Sequence, residues 1–166
     1  MKFFKTKIIL SFVQQFYDPV GNSYAATLLP KIWLEESWKI KLARDDPLPP
    51  ETYNRFSKWL LEVACLSKIE IPRYVNVSKM SELHVFVDAS KNAYAACVFV
   101  RSVTNNGVQV YLIRAKTKVA LIKTILIPRL ELLACSIGAR LALSVQTALH
   151  HPHLKITFCT NSMTAL

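Results

Sequence analysis

Leu83-His84-Val85-Phe86-Val87-Asp88-Ala89-Ser90 decides how this chain is read. It is a run of strand formers that ends on a carboxylate, and a second strand-like run, Ala93 to Val100, follows almost at once. A carboxylate inside a buried strand is costly unless it is paired, hydrogen-bonded or bound to a metal. Asp88 therefore has two readings. In one, Asp88-Ala89-Ser90-Lys91-Asn92 is a turn and the carboxylate caps its own backbone amides. In the other, Asp88 is a metal ligand held in a sheet.

Downstream, strand-like runs at 83–88, 93–101 and 108–115 are separated by short turns. The last turn, Thr104-Asn105-Asn106-Gly107, carries an Asn-Gly hairpin signal. A basic connection is expected from Arg114 to Lys123, and Ile127-Pro128-Arg129 then opens a helix, where proline is well placed. Helical periodicity runs from Leu130 to Leu149, with Glu131, Cys135, Gly138 and Ala142 on one stripe. Small side chains at that spacing let a helix lie close to a sheet. Glu131 also fits the first turn of a helix, where the dipole favours an acid without any chemistry. A final strand, Lys155 to Cys159, ends in Thr160-Asn161-Ser162. Strand, strand, strand, helix, strand is an antiparallel hairpin sheet extended by a helical crossover, a mixed α+β (α/β) fold.

Upstream, residues 5 to 17 alternate basic and apolar and stop at the turn signature Asp18-Pro19-Val20-Gly21. A helical pattern starts at Ala25, and Asp45-Asp46-Pro47-Leu48-Pro49-Pro50 breaks it. Beside three prolines the paired aspartates are expected to cap the next helix, about Glu51 to Ser67, rather than to bind metal. Asn76 to Ser81 is polar and is expected to be a linker.

The chain has 166 residues, and its 52% hydrophobic content is enough for a real core. Lys and Arg number 21 against 11 Asp and Glu, so the net charge of +10 makes a polyanion the natural partner. The four cysteines, Cys65, Cys97, Cys135 and Cys159, lie far apart without Cys-x-x-Cys spacing. That spacing argues against zinc or a disulfide framework and for a reducing compartment. His84 is expected in the core or at the surface, and His150, His151 and His153 in a loop at a helix end. Met1-Lys2-Phe3-Phe4 begins like a signal peptide, but Lys5 and Lys7 interrupt it, and no run is long enough to span a membrane. An intracellular location, cytoplasm or nucleus, is the expectation.

Phe86-Val87-Asp88-Ala89-Ser90, Ala115-Lys116-Thr117-Lys118, Ile127-Pro128-Arg129-Leu130-Glu131-Leu132-Leu133-Ala134 and Thr160-Asn161-Ser162 occur in an order that resembles the polyproteins of BEL/Pao-type retrotransposons. There they look like the ribonuclease H-like domain behind the reverse transcriptase. Tyr17-Asp18-Pro19-Val20-Gly21 and Ile71-Pro72-Arg73 resemble the connecting region of the same polyproteins. The resemblance implies a helical connection segment at 1–78 and a truncated ribonuclease H-like domain at 79–166. It implies cleavage of RNA in RNA–DNA hybrids by two Mg2+ ions, which clamp the attacking and leaving oxygens.

Magnesium wants hard oxygen ligands, so such a site is built from clustered carboxylates. The family pattern matches Asp88 in the first strand and Glu131 on the helix as catalytic and metal-binding residues. At the third position, where the family has an aspartate, this chain has Asn161, which brings no charge to offset two dications. A fourth carboxylate belongs to a later helix, beyond the expected end of this chain. The expectation is therefore a degenerate, inactive nuclease. The alternatives are a non-catalytic nucleic-acid-binding or assembly module, and a translated relic without function. The expected partners are the reverse transcriptase portion and an RNA–DNA hybrid, the latter held at Arg114, Lys116, Lys118, Lys123 and Arg129. With the domain truncated, an exposed apolar patch is expected near Val85, Val87 or Ile156. A peptidase reading has little support, since Asp88-Ala89-Ser90 lacks the glycine of an aspartic-peptidase loop.

Overall fold

Residues 4–72, 74–120 and 125–163 are described by a computed structural model, and they divide into two units. The first is helical and ends at Ile71; the second begins at Pro72 and also takes in Val20–Asn22.

The first unit contains α1 (Thr6–Gln15), α2 (Tyr24–Lys39) and α3 (Pro50–Val63), with a 3-10 turn at Ala64–Lys68. Its core is Ile9, Trp33, Leu34, Leu48, Phe56 and Trp59. Phe56 stacks on Trp59 at 5.7 Å and receives Phe4 and Phe12 edge-on at 5.6 and 5.9 Å. Pro30 sits inside α2, where it has no N–H for the Ala26 carbonyl. The Trp59 indole supplies the missing donor, at 2.9 Å from that oxygen. The break in the helix ladder thus becomes a tie between α2 and α3.

Asp18 holds the start of α2 by accepting from the backbone N–H and the hydroxyl of Ser23, each at 2.6 Å. Asp45 and Asp46 do not cap α3, whose first turn is instead preset by Pro49 and Pro50. Asp46 accepts from Ala43 N–H at 2.7 Å, and Asp45 accepts from Lys7 Nζ at 2.5 Å. The charge on Lys7 was the signal that the prolines outweighed in the sequence.

The second unit is a four-stranded sheet in the order β3-β2-β1-β4. Its strands are β1 (Glu82–Ala89), β2 (Ala93–Thr104), β3 (Gly107–Val119) and β4 (Lys155–Cys159), with α4 (Ile127–Ala148) between the last two. β1 pairs antiparallel with β2 and parallel with β4, as a crossover through α4 requires. The β2–β3 hairpin turns at Asn105-Asn106, and Gly107 takes a φ of 115°, a conformation that costs glycine little. β3 runs four residues beyond its expected end: Lys116, Thr117 and Lys118 pair with Ala96, Ala95 and Tyr94. Pairing along the full length of β2 outweighs the poor strand preference of lysine, whose side chains point to solvent. The basic connection expected there is therefore largely strand. On the outer edge of β3, Val20 O accepts from Ala115 N–H at 2.8 Å, which shields part of that edge.

The polar stretch before β1 is tied down rather than a free linker. Ser102 donates to Asn76 O at 2.7 Å and meets Ser81 Oγ at 2.8 Å, with both serines buried.

α4 covers one sheet face with Ala134, Gly138, Leu141, Ala142 and Val145. Gly138 is the close point: a Cβ there would lie 2.5 Å from Val87 Cγ1 and 3.2 Å from Val85 Cγ1. Val85 and Val87 are consequently buried, and Ile156 packs half-buried against the same core. The apolar patch expected at those residues is instead on the opposite face, where Phe86 is 44% and Val110 58% exposed. Strand alternation puts Phe86 and Val87 on opposite faces, and α4 covers only the second. The four cysteines are free, and burial pushes the Cys97 thiol up.

Two outcomes follow from this packing. Gly138→Ala gains helix propensity but drives a methyl into Val87, and overpacking of this kind costs about 1–3 kcal/mol. Urea unfolding should show that loss in the midpoint; an unchanged or raised midpoint would mean that α4 can lift off β1 freely. The second concerns Asp45, whose carboxyl Lys7 holds below the usual carboxylate range through a hydrogen bond and its charge. A depressed folded pKa contributes stability above the unfolded value of about 3.9, lost as pH falls through the folded one. Asp45→Asn should lower the melting temperature at neutral pH, and the two melting curves should converge in strong acid. A constant gap at every pH would assign the effect to something other than this charge.

Candidate functional site

Asp88 is the seventh residue of β1 and pairs with Ala95. Its neighbour Val87 lies under α4, so Asp88 is on the other face, exposed. Among the described residues its carboxylate has no hydrogen bond or ion pair. The turn that follows is closed by Ser90 instead: its N–H donates to Ala93 O at 2.7 Å, and its hydroxyl bridges Ala93 O and N at 3.2 and 3.3 Å. The turn-capping reading thus belongs to Ser90 rather than to Asp88.

Glu131 is the fifth residue of α4 and lies past the first turn, which holds no acid. The helix-dipole explanation offered by the sequence therefore carries little weight, since the effect fades within one turn. Half-buried, Glu131 accepts a 2.5 Å hydrogen bond from the Ser162 hydroxyl. Ser162 is buried, and its backbone N–H donates to Thr160 Oγ1 at 3.1 Å. Asn161, between them, is exposed. The β1–β4 pairing ends at Phe86 and Cys159, two residues short of both Asp88 and Asn161. Asp88, Asn161 and the Glu131–Ser162 pair thus lie toward one end of these two strands, and of these groups only Glu131 and Ser162 are in hydrogen-bond contact. The sequence quoted Ser162 within a motif but gave it no role; a hydroxyl beside the degenerate position was the available signal.

Among the described residues, no group of three or more His, Cys, Asp and Glu could hold a metal ion. Two carboxylates, one with an oxygen already engaged by a hydroxyl, do not fit a pair of magnesium ions, which take several hard oxygens each.

Of the expected polyanion contacts, Arg114, Lys116 and Lys118 are exposed on β3. Lys116 pairs with Ala96, which faces α4, so the lysine is on the α4 side of the sheet. Arg114 Nη1 reaches Ser144 Oγ on α4 at 3.4 Å. Arg129 is exposed at the start of α4, and Lys123 lies outside the described residues. Arg140, one turn before Ser144 and exposed, extends the set, although the sequence gave no reason to single it out.

A four-stranded mixed sheet crossed by one helix, with a carboxylate in its first strand and another on the helix, is the frame of a ribonuclease H-like domain. The family model described as Pao retrotransposon-like RNaseH-like domain matches residues 5–162, and the chain belongs to that family. The resemblance drawn from its motifs is thereby confirmed. Among solved structures it is similar to a foamy virus protease-reverse transcriptase in complex with double-stranded DNA, at 14% identity and a TM-score of 0.42. That match covers 95% of this chain, which spans 28% of the foamy virus chain. No curated protein matches it. Among the described residues no helix is long and apolar enough to cross a membrane.

The contact between Ser162 and Glu131 is testable. Hydrogen bonds to charged groups contribute about 1.5–3 kcal/mol. Ser162→Ala and Glu131→Gln should each destabilise the chain, and the double variant should lose less than their sum. Strict additivity in urea unfolding would show that the two side chains do not interact in solution.

Proposed function

We propose that this chain is a ribonuclease H-like module of a retrotransposon polyprotein that retains duplex binding and has lost efficient strand cleavage. In this reading the helical unit is the connection segment that follows a reverse transcriptase, and the natural ligand is an RNA–DNA hybrid. The observation that carries it is the donor set. Asp88 and Glu131 are the carboxylates at the expected positions, and the third position holds Asn161, with no third acid grouped with them among the described residues. An amide oxygen can touch a cation but brings no charge. Magnesium surrenders its waters reluctantly and needs carboxylates to do so.

Binding without cleavage is supported by the basic residues. Arg114, Lys116 and Lys118 recur at every second position of β3, on the side from which α4 presents Arg129 and Arg140. Such a stripe can track a phosphate backbone, and each neutralised phosphate releases counterions.

Calorimetric magnesium titration of the chain and of Asn161→Asp tests the site. The substitution should tighten magnesium several-fold, because it returns one negative ligand; equal affinities would place Asn161 outside the site. In parallel, hybrid affinity should fall steeply with salt, and alanine at Arg114, Lys116, Lys118 and Arg129 together should flatten that slope by about three to four units. Unchanged slopes would remove the proposed duplex surface.

A further inference from the structure

The turn between β2 and β3 carries a reactive pair that neither the core nor the candidate site uses. Thr104 pairs with Gly107, so only Asn105 and Asn106 separate the strands, and Thr104 Oγ1 donates to Gly107 O at 2.9 Å. Asn105, Asn106 and Gly107 are all exposed. Gly107 holds a φ of 115°, and a Cβ built on it would meet nothing within 4 Å. The backbone nitrogen next to the Asn106 side chain thus belongs to a residue with no side chain, set in open space.

We infer that Asn106 is a self-modification site, where the chain converts its own side-chain amide to an acid through a cyclic imide. The Gly107 nitrogen attacks Asn106 Cγ. A C–N bond forms, and the side-chain nitrogen leaves as ammonia together with the backbone proton. Water then opens the imide at either carbonyl, which gives aspartate or its β-linked isomer, isoaspartate. Both reacting atoms belong to adjacent residues, so the reaction needs water and no partner. The other asparagines, at 22, 54, 76, 92, 105 and 161, do not precede glycine. Several of the nitrogens beside them are also engaged. Ser23 N–H is held by Asp18 at 2.6 Å, Ala93 N–H by Ser90 Oγ at 3.3 Å and Ser162 N–H by Thr160 Oγ1 at 3.1 Å. A bonded N–H must first give up its partner, and any residue but glycine resists the backbone rotation that the attack requires. Asn161, at the degenerate third position, is thereby kept as an amide while the turn gains an acid. The aspartate product keeps the hairpin, because Asp-Gly favours such a turn as Asn-Gly does. Isoaspartate inserts an extra backbone carbon and breaks the pairing of Thr104 with Gly107.

The test is ageing of the purified full chain in mildly alkaline buffer, followed by peptide mass mapping. Isoaspartate is read separately, by carboxyl methylation with an isoaspartyl methyltransferase. In the folded chain Asn106 should convert severalfold faster than any other asparagine and yield both isomers. Asn106→Gln, whose longer side chain cannot close the same ring, should remove that conversion. Gly107→Ala should slow it severalfold, and should do so in urea as well, where a damaged turn plays no part. Urea should also let Asn22 and Asn161 gain on Asn106, because the hydrogen bonds at Ser23 and Ser162 are then lost. Conversion at Asn161 or Asn22 ahead of Asn106 in the folded chain would overturn the inference, as would an Asn106 amide that lasts as long as that of Asn105. An unchanged lead of Asn106 in urea would overturn the protection of Asn161 by the fold.

Discussion

The approach of α4 to β1 at Gly138 is the constraint on which the second unit depends. With only a hydrogen at that position, the helix lies flush against Val85 and Val87. Ala134, Leu141, Ala142 and Val145 then bury the same sheet face. The crossover through α4 brings β4 back parallel to β1, with Cys159 opposite Phe86. That register carries Ser162 to Glu131 and places Asn161 and Asp88 just past the last paired residues. A helix held further away would loosen the core and the Glu131–Ser162 contact together.

Covering one face and leaving the other open gives the sheet two chemically different sides. On the α4 side the long strand β3 exposes arginine and lysine at alternate positions, Arg114, Lys116 and Lys118. On the other side alternation brings out the residues between the core valines: His84, Phe86 and Asp88. The same period of two that buries Val85 and Val87 thus exposes an aromatic ring and a carboxylate. The position of Asp88 is a consequence of core packing. Among the described residues no hydrogen bond or ion pair engages its carboxylate.

Much of the sheet was legible in the sequence because its signals are local. Alternation located β1 and β2, Asn106-Gly107 located the hairpin, and Pro128 located the start of α4. The small-residue stripe marked its buried face at Gly138 and Ala142 but not at Glu131 and Cys135, which are half-buried. The parts that were not legible depend on partners far away in the chain. The end of β3 was set by the length of β2, which overrode the lysines. The roles of Asp45 and Asp46 were set by Lys7 and Ala43, not by the prolines next to them. Pro30 was tolerated in α2 because an indole almost thirty residues later serves the carbonyl that it leaves bare. At the candidate site, residue types could be read from motif order. The sequence could not show that Ser90 takes over the capping role, or that Ser162 is the residue that meets Glu131.

The most direct measurement is cleavage of an end-labelled RNA–DNA hybrid by the purified chain in magnesium, with chelator and Asp88→Asn as controls. A module with two carboxylates and an asparagine should bind the hybrid and leave its RNA strand intact, at the level of both controls. Magnesium-dependent cutting of the RNA strand that Asp88→Asn abolishes would contradict the central claim, because it would show a working metal site despite Asn161.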